Sequence, residues 1–159
     1  MMAERFLEAL REAVQEIAET MLFTEVACGS WRQGGSPLAV AYSAVLGYSG
    51  NLRGSFALSA GEAGAMVLAS ALLGEERSQM DDEMEDAFCE MANMMAGGMQ
   101  SRMESLLGPV KLSTPMVIQG AGHKVRSEKH YACISQDFSI AAQPFCVHIF
   151  YDIESLKSL

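Results

Sequence analysis

A long stretch with helical periodicity, from Asp81 to Leu107, constrains the fold of this 159-residue chain more than any other segment. Four apolar side chains, spaced three or four residues apart, fall on one side of a helical wheel: Met84, Phe88, Met91 and Met95. Gly108 and Pro109 follow them and predict the end of the helix. A helix of this length with one apolar stripe needs a sheet or other helices to cover that stripe.

The remaining segments show helical and strand patterns in separate runs. The predicted elements are an N-terminal helix at 3–22, a hairpin at 38–59, two helices within 61–107 and three alternating strands within 110–151. The stretch Gly29–Pro37 is rich in Gly and Ser and is expected to form a loop. Runs of helices and runs of strands indicate an α+β fold, in which a mainly antiparallel sheet of about five strands packs against two long helices and a shorter one. We expect one domain over residues 1–159.

The negative charge is concentrated in one short segment. The formal net charge is −9, and Glu75–Glu90 carries eight acids and one base, which is −7 of that total. Such acidity argues against binding of nucleic acid or of an anionic membrane surface. No apolar run reaches the roughly 18 residues of a membrane-spanning helix. Residues 1–10 lack a signal-peptide pattern, and the four cysteines lack zinc-site spacing, so we expect a cytoplasmic protein without a metal site.

The side of the long helix opposite its apolar stripe carries a polar stripe, made of Asp82, Asp86, Glu90, Asn93 and Gly97. Acids in the first turns of a helix stabilise its dipole and are normally solvated, which accounts for much of the stripe. Asn in a helix interior costs up to about 0.7 kcal/mol relative to Ala, and Gly costs about 1 kcal/mol. A helix built only for packing would therefore not need Asn93, Gly97 or Gly98, whereas glycines on an exposed stripe let another backbone approach. A solvated face and a binding surface both stay open from the residues alone.

The pattern D-x-x-x-E-x-x-N, formed by Asp86, Glu90 and Asn93, resembles the signature of the CheC/CheX family of chemotaxis phosphatases. In that family a proline follows a little over twenty residues later, and Pro115 stands close to that spacing here. The hairpin around 47–54 is also similar, so that the resemblance covers roughly residues 39–120. One motif rather than two resembles the CheX branch, for which the resemblance implies a CheX-like fold and a homodimer joined partly through its sheets.

The resemblance implies a phosphatase that hydrolyses the aspartyl phosphate of a CheY-like response regulator. Phosphoryl transfer depends mostly on positioning and electrostatics, and a carboxamide both donates and accepts hydrogen bonds. Asn93 is therefore the candidate for orienting the attacking water. Glu90 is expected to pair with a lysine of the regulator, and Asp86, Gly97 and Pro115 are the expected partner-binding positions. Mg²⁺ is expected on the regulator, so no cofactor of the chain's own is expected.

Two other functions fit the sequence. A module of the same fold could bind a regulator or join a flagellar switch without turnover, although a pure binder has no need for a water-orienting amide. A sensor of small ligands would require an apolar pocket beside Met91 and Met95 in the Met-rich helix. The sequence has no phosphate-binding P-loop, no nucleophile elbow and no H-E-x-x-H motif, so it does not indicate these other catalytic designs.

Overall fold

The computed structural model describes residues 2–35, 39–125 and 130–156. Its helices are α1 (Met2–Ile17, continued by a π-helical segment at Ala18–Leu22), α2 (Glu62–Leu73), α3 (Asp82–Leu107) and α4 (Ile153–Leu156). Its strands are β1 (Val26–Gln33), β2 (Val40–Gly50), β3 (Gly54–Ala60), β4 (Val110–Leu112), β5 (Met116–His123), β6 (Tyr131–Ile140) and β7 (Gln143–Asp152). The predicted helices, and the hairpin formed by β2 and β3, are therefore confirmed to within a few residues at their ends.

The described strands form one antiparallel sheet. Its order is β1-β6-β7-β3-β2-β4, and β5 lies along the same edge of β2 as β4 because β3 occupies the other edge. The three long helices cover one face, and the core between the two layers includes Phe56, Leu58, Phe138, Val147 and Ile149 from alternate strand positions. This arrangement confirms the α+β class with a mainly antiparallel sheet.

The sheet has seven strands in the described residues rather than about five. The predicted loop at Gly29–Pro37 is wrong for Gly29–Gln33, which lie in β1; residues 36–37 of that prediction lie outside the described residues. The sequence hides this strand because its residues are mostly exposed and show no alternation of apolar and polar side chains, whereas its stabilising partner is remote. The buried amide of Gln136 on β6 donates to the backbone carbonyls of Gly29, at 2.9 Å, and Ser30, at 3.3 Å, where a bulge interrupts the pairing of β1 with β6.

A second difference adds another strand at the opposite edge of the sheet. The first of the three strands predicted within 110–151 is interrupted at residues 113–115 and becomes β4 and β5. Pro115 has no backbone N–H for the ladder, which explains why regular pairing with β2 stops before it and restarts at Met116.

The sheet face that turns away from the helices is also buried. Ser43, Ala57 and Ser59 on this outer face are fully inaccessible, although no described helix covers them. Described residues that follow β1 and β5 come close to each other, since a Cβ on Gly35 would lie 3.6 Å from the Val125 carbonyl oxygen. The strands β1 and β5 themselves lie near opposite edges of the sheet.

Polar side chains of the outer face satisfy one another. The hydroxyl of Ser135 on β6 donates to the carbonyl of Gly34 at 2.6 Å and so accepts from Nδ1 of His148 on β7 at 2.8 Å. Arg32 and Asp137 form a two-pronged ion pair beside them, at 2.8 and 2.9 Å. Burial, together with the Arg32 charge, lowers the pKa of His148 to about 4 despite the opposing charge of Asp137.

The lowered pKa of His148 predicts that acid destabilises the fold. An unfolded chain binds a proton at His148 near its ordinary pKa of 6.5, whereas the folded chain binds it only near 4. Stability is therefore full above pH 6.5 and falls as the pH drops from 6.5 to 4, by up to about 3 kcal/mol. Denaturant unfolding at a series of pH values measures this slope, and His148→Gln is expected to flatten it. An equally steep slope in the variant would assign the acid sensitivity to other groups.

Candidate functional site

The long helix α3 is fixed at its start by local polar contacts. The carboxylate of Asp81 accepts a hydrogen bond from the Met84 backbone N–H at 2.9 Å and caps the helix. Arg77 contacts the carboxylates of Glu75, Asp81 and Glu83 and so draws the acidic α2–α3 connection against the first turn. The helix therefore begins at a defined position, which fixes where its later turns lie along the sheet.

The apolar side of α3 is buried as its periodicity predicts. Met84, Phe88 and Met91 are inaccessible and Met95 is 1% exposed. The Phe88 ring packs edge-on against Tyr42 of β2, with their centroids 6.4 Å apart. These contacts fix the rotation of the helix about its axis, so the opposite stripe must face outward.

The outward stripe contains four of the five predicted site residues. Asp86 and Glu90 are exposed, whereas Asn93 and Gly97 are half-buried. Together they follow one side of α3 over about 16 Å, at 1.5 Å of rise per residue. Within the described residues the side chains of Asp86, Glu90 and Asn93 make no hydrogen bond or ion pair with protein atoms, so their polar groups are available to a partner. One further side chain on this part of the helix, Cys89, is half-buried, and burial together with the nearby Asp86 and Glu85 charges raises its thiol pKa.

The two glycines of this region have different structural roles. A Cβ on Gly97 would meet only Leu112 Cδ1 of β4, at an unstrained 3.9 Å, so the surface there is open. A Cβ on Gly98 would come within 2.9 Å of the Ala13 Cβ on α1. The interpretation of both glycines as partner-facing is therefore wrong for Gly98, which allows α1 and α3 to pack closely.

The fifth predicted residue, Pro115, lies off the helix. It is half-buried and stands at the interruption between β4 and β5, two strands that both contact α3. The structure thus brings Asp86, Glu90, Asn93 and Gly97 together on one helix and puts Pro115 on the neighbouring sheet edge. Residue patterns missed the backbone irregularity around Pro115, where the pairing with β2 is interrupted. The proline inside an alternating run was the available signal.

Other kinds of site find less support. Within the described ranges no group of three or more His, Cys, Asp or Glu side chains is placed to hold a metal ion. Met91 and Met95 are packed in the core, and a surface cavity of about 470 Å³ lies elsewhere, beside Met66 and Val67 of α2. None of the helices in the described part of the chain is long and apolar enough to cross a bilayer.

Comparison with known proteins places this arrangement in a family. The family described as chemotaxis phosphatase CheX matches residues 42–139, a range that includes the whole of α3 and its polar stripe. The chain therefore belongs to the CheX family.

Individual relatives agree with this assignment. A CheY-P phosphatase CheX from Thermotoga maritima is 32% identical over 84 residues, and the match covers 52% of this chain and 54% of that protein, about half the length of each. Chemotaxis protein CheX from Vibrio vulnificus has the same fold, with a TM-score of 0.82 at 23% identity over 92% of this chain and 98% of its own. CheX in a CheX–CheY–BeF3–Mg²⁺ complex from Borrelia burgdorferi superposes with a TM-score of 0.75 at 24% identity, over 94% and 96% of the two chains.

Proposed function

We propose that this protein hydrolyses the aspartyl phosphate of a CheY-like response regulator, with α3 as its catalytic and docking element. The observation that carries the proposal is the outward stripe of Asp86, Glu90 and Asn93, unpaired in the described structure and lying within the family match. The curated relative from Thermotoga is a CheY-P phosphatase, and the Borrelia relative was crystallised with CheY. Both of these facts support a regulator as the substrate.

Asn93 is proposed to orient the attacking water. Hydrolysis of an acyl phosphate requires a water in line with the bond that breaks and little covalent work by the protein. The carboxamide can accept a hydrogen bond from the water through its oxygen and donate to a phosphoryl oxygen through its nitrogen. Because Asn93 lies in a helix whose rotation is fixed by buried Phe88 and Met91, its side chain starts from a rigid backbone position.

Glu90 and Asp86 are proposed to bind the regulator. Glu90 is exposed one turn before Asn93 and can pair with a lysine beside the phosphorylated aspartate, while Asp86 extends the contact by a further turn. Gly97 leaves the approach open on the other side of Asn93. Mg²⁺ is proposed to be supplied by the regulator, where it would help to neutralise the charge of the phosphoryl group, and no cofactor is proposed for this chain.

The decay of a phosphorylated CheY-like regulator tests the proposal directly. Loss of phosphate is followed with and without this protein, at saturating Mg²⁺, for regulators of the same organism. Faster decay with multiple turnovers per protein molecule supports a phosphatase. Tight binding without any change in phosphate lifetime would instead favour the non-catalytic binding module.

The acidity of this surface predicts a salt-dependent reaction. The negative charges on α3 are expected to attract a basic surface of the partner. Salt weakens this attraction, because the Debye length falls from about 10 Å at 0.1 M to about 3 Å at 1 M salt. We expect kcat/KM to fall about tenfold between low and roughly 0.5 M salt, with kcat nearly constant. The double variant Asp82→Asn/Asp86→Asn should show a lower kcat/KM at low salt and a shallower dependence. A salt response that is the same in both proteins would contradict electrostatic attraction by this stripe.

Two further expectations from the sequence remain proposals. A homodimer that is joined partly through the sheets of its two protomers is proposed. Cytoplasmic location, where a response regulator would be available, also stays a prediction.

A further inference from the structure

The edge of the sheet beside α3 contains an irregularity with a defined geometry. Leu112 of β4 pairs with Tyr48 of β2, and Met116 of β5 pairs with Val45. Three residues, 113–115, therefore face only two residues of β2, 46–47, and the extra residue forces this segment to bulge. Bulges of this kind re-aim side chains that a regular strand would direct alternately to the two faces of the sheet. The segment Ser113–Thr114–Pro115 is called the edge bulge below.

One side chain pins the edge bulge to the sheet. The hydroxyl oxygen of Ser113 accepts a hydrogen bond from the Gly47 backbone N–H at 2.8 Å. The backbone N–H of Ser113 donates to the Gly47 carbonyl, also at 2.8 Å. The side chain thus replaces the carbonyl that a regular strand would offer to Gly47, and without it the N–H of Gly47 would lose its partner at this edge.

The edge bulge lies next to the outward stripe of α3. A Cβ on Gly97 would first contact the side chain of Leu112, the residue immediately before the edge bulge. Within the edge bulge Thr114 is exposed and Pro115 half-buried. A partner seated on Glu90, Asn93 and Gly97 therefore has the α3 stripe beneath it and the edge bulge at its side.

We propose that the edge bulge is the second wall of the regulator-docking surface and that Ser113 is its positioning residue. This inference rests on the proposed function, since it concerns the same site. Ser113 acts through its hydrogen bonds to the Gly47 backbone, which hold Thr114 and Pro115 in a fixed position beside the outward stripe. Because the edge bulge is proposed to contact the regulator and not the phosphoryl group, changes in it should alter regulator affinity and KM and leave kcat nearly unchanged.

The test compares Ser113→Ala, which removes the acceptor, with Ser113→Thr, which keeps a hydroxyl at the same place. Affinity is measured against a regulator loaded with beryllofluoride and Mg²⁺, and KM and kcat are measured from phosphate decay. We expect Ser113→Ala to weaken affinity and raise KM about fivefold with kcat within twofold, and Ser113→Thr to remain near the unaltered protein. Thr24→Ala is the matched control, because it removes another side chain-to-backbone hydrogen bond, the one at 3.0 Å to the Leu22 carbonyl, far along the chain from the edge bulge.

A second variant keeps the inference testable if Ser113→Ala is poorly folded. Thr114→Glu adds bulk and negative charge to the exposed tip without removing the Ser113 contacts, and it should weaken affinity tenfold or more. Unchanged affinity and KM in both Ser113→Ala and Thr114→Glu would overturn the inference while leaving the proposed function intact. If the unaltered protein binds the regulator without hydrolysis, the proposed function is wrong and the affinity results alone decide the inference. If it binds no regulator, both are overturned.

Discussion

Replacing Asn93 by alanine is expected to lower kcat for regulator dephosphorylation about 100-fold or more, with regulator affinity changed less than twofold. The carboxamide is the one group on the α3 stripe that can both accept from a water and donate to the phosphoryl group. Loss of that orientation leaves the water free to rotate, and misplacement of a reacting group by about 1 Å can cost about two orders of magnitude in rate. Single-turnover decay at saturating protein measures kcat separately from binding.

A matched control uses the second carboxamide on the same helix. Gln100 is half-buried and lies two turns after Asn93, so Gln100→Ala removes an amide without removing the proposed water ligand. Its kcat should stay within twofold of the unaltered protein. Glu90→Ala should show the opposite pattern to Asn93→Ala, with affinity lost more than kcat. Equal activity of Asn93→Ala and the unaltered protein would exclude Asn93 from the chemistry.

Replacing Gly54 by alanine is expected to destabilise the fold by about 3 kcal/mol, near the upper end of ordinary overpacking effects. A Cβ at this position would lie 1.9 Å from the Phe150 carbonyl oxygen on β7 and 2.7 Å from the Tyr48 ring. The Tyr48 side chain crosses over this glycine to donate a hydrogen bond to the same carbonyl at 2.6 Å. Neither the backbone of a central strand nor a hydrogen-bonded ring can move away easily, so the pairing of β3 with β7 must distort.

Gly97→Ala is the control for this prediction, measured by denaturant unfolding beside Gly54→Ala. The added methyl group meets nothing closer than 3.9 Å, and alanine is preferred over glycine in a helix interior by about 1 kcal/mol. Gly97→Ala should therefore stabilise the protein slightly. A comparable loss of stability in the two variants would mean that backbone flexibility, rather than the contact with Phe150 and Tyr48, explains the need for Gly54.

Sequence patterns predicted those parts of the fold whose causes are local. The apolar periodicity of α3 and the turn residues of the β2–β3 hairpin lie within a few residues of one another, and both elements were placed correctly. The strand β1 was missed because the buried amide of Gln136, more than a hundred residues away, stabilises it. Gly98 was misassigned for the same reason, since only the assembled structure brings Ala13 against it.

The candidate site shows the same division. The spacing of Asp86, Glu90 and Asn93 was enough to place them on one outward stripe, because helix geometry alone decides which residues share a side. The edge bulge depends on the pairing of β4 and β5 with β2, so the position of Pro115 in it was not predictable from spacing. No sequence pattern marked Ser113 in the same segment, since its hydrogen-bond partner Gly47 lies 66 residues earlier.

The placement of Glu90 and Asn93 on a single helix has a consequence for natural variation. Their separation follows from three residues of helical rise and rotation, about 4.5 Å along the axis, and does not depend on how distant elements assemble. Substitutions in the sheet or in α1 should therefore change how many molecules are folded in the cell, and hence protein abundance, while each folded molecule keeps its specific activity. Change of partner preference should instead accumulate at the sheet edge, where a shift in one strand moves the edge bulge and leaves Glu90 and Asn93 in place.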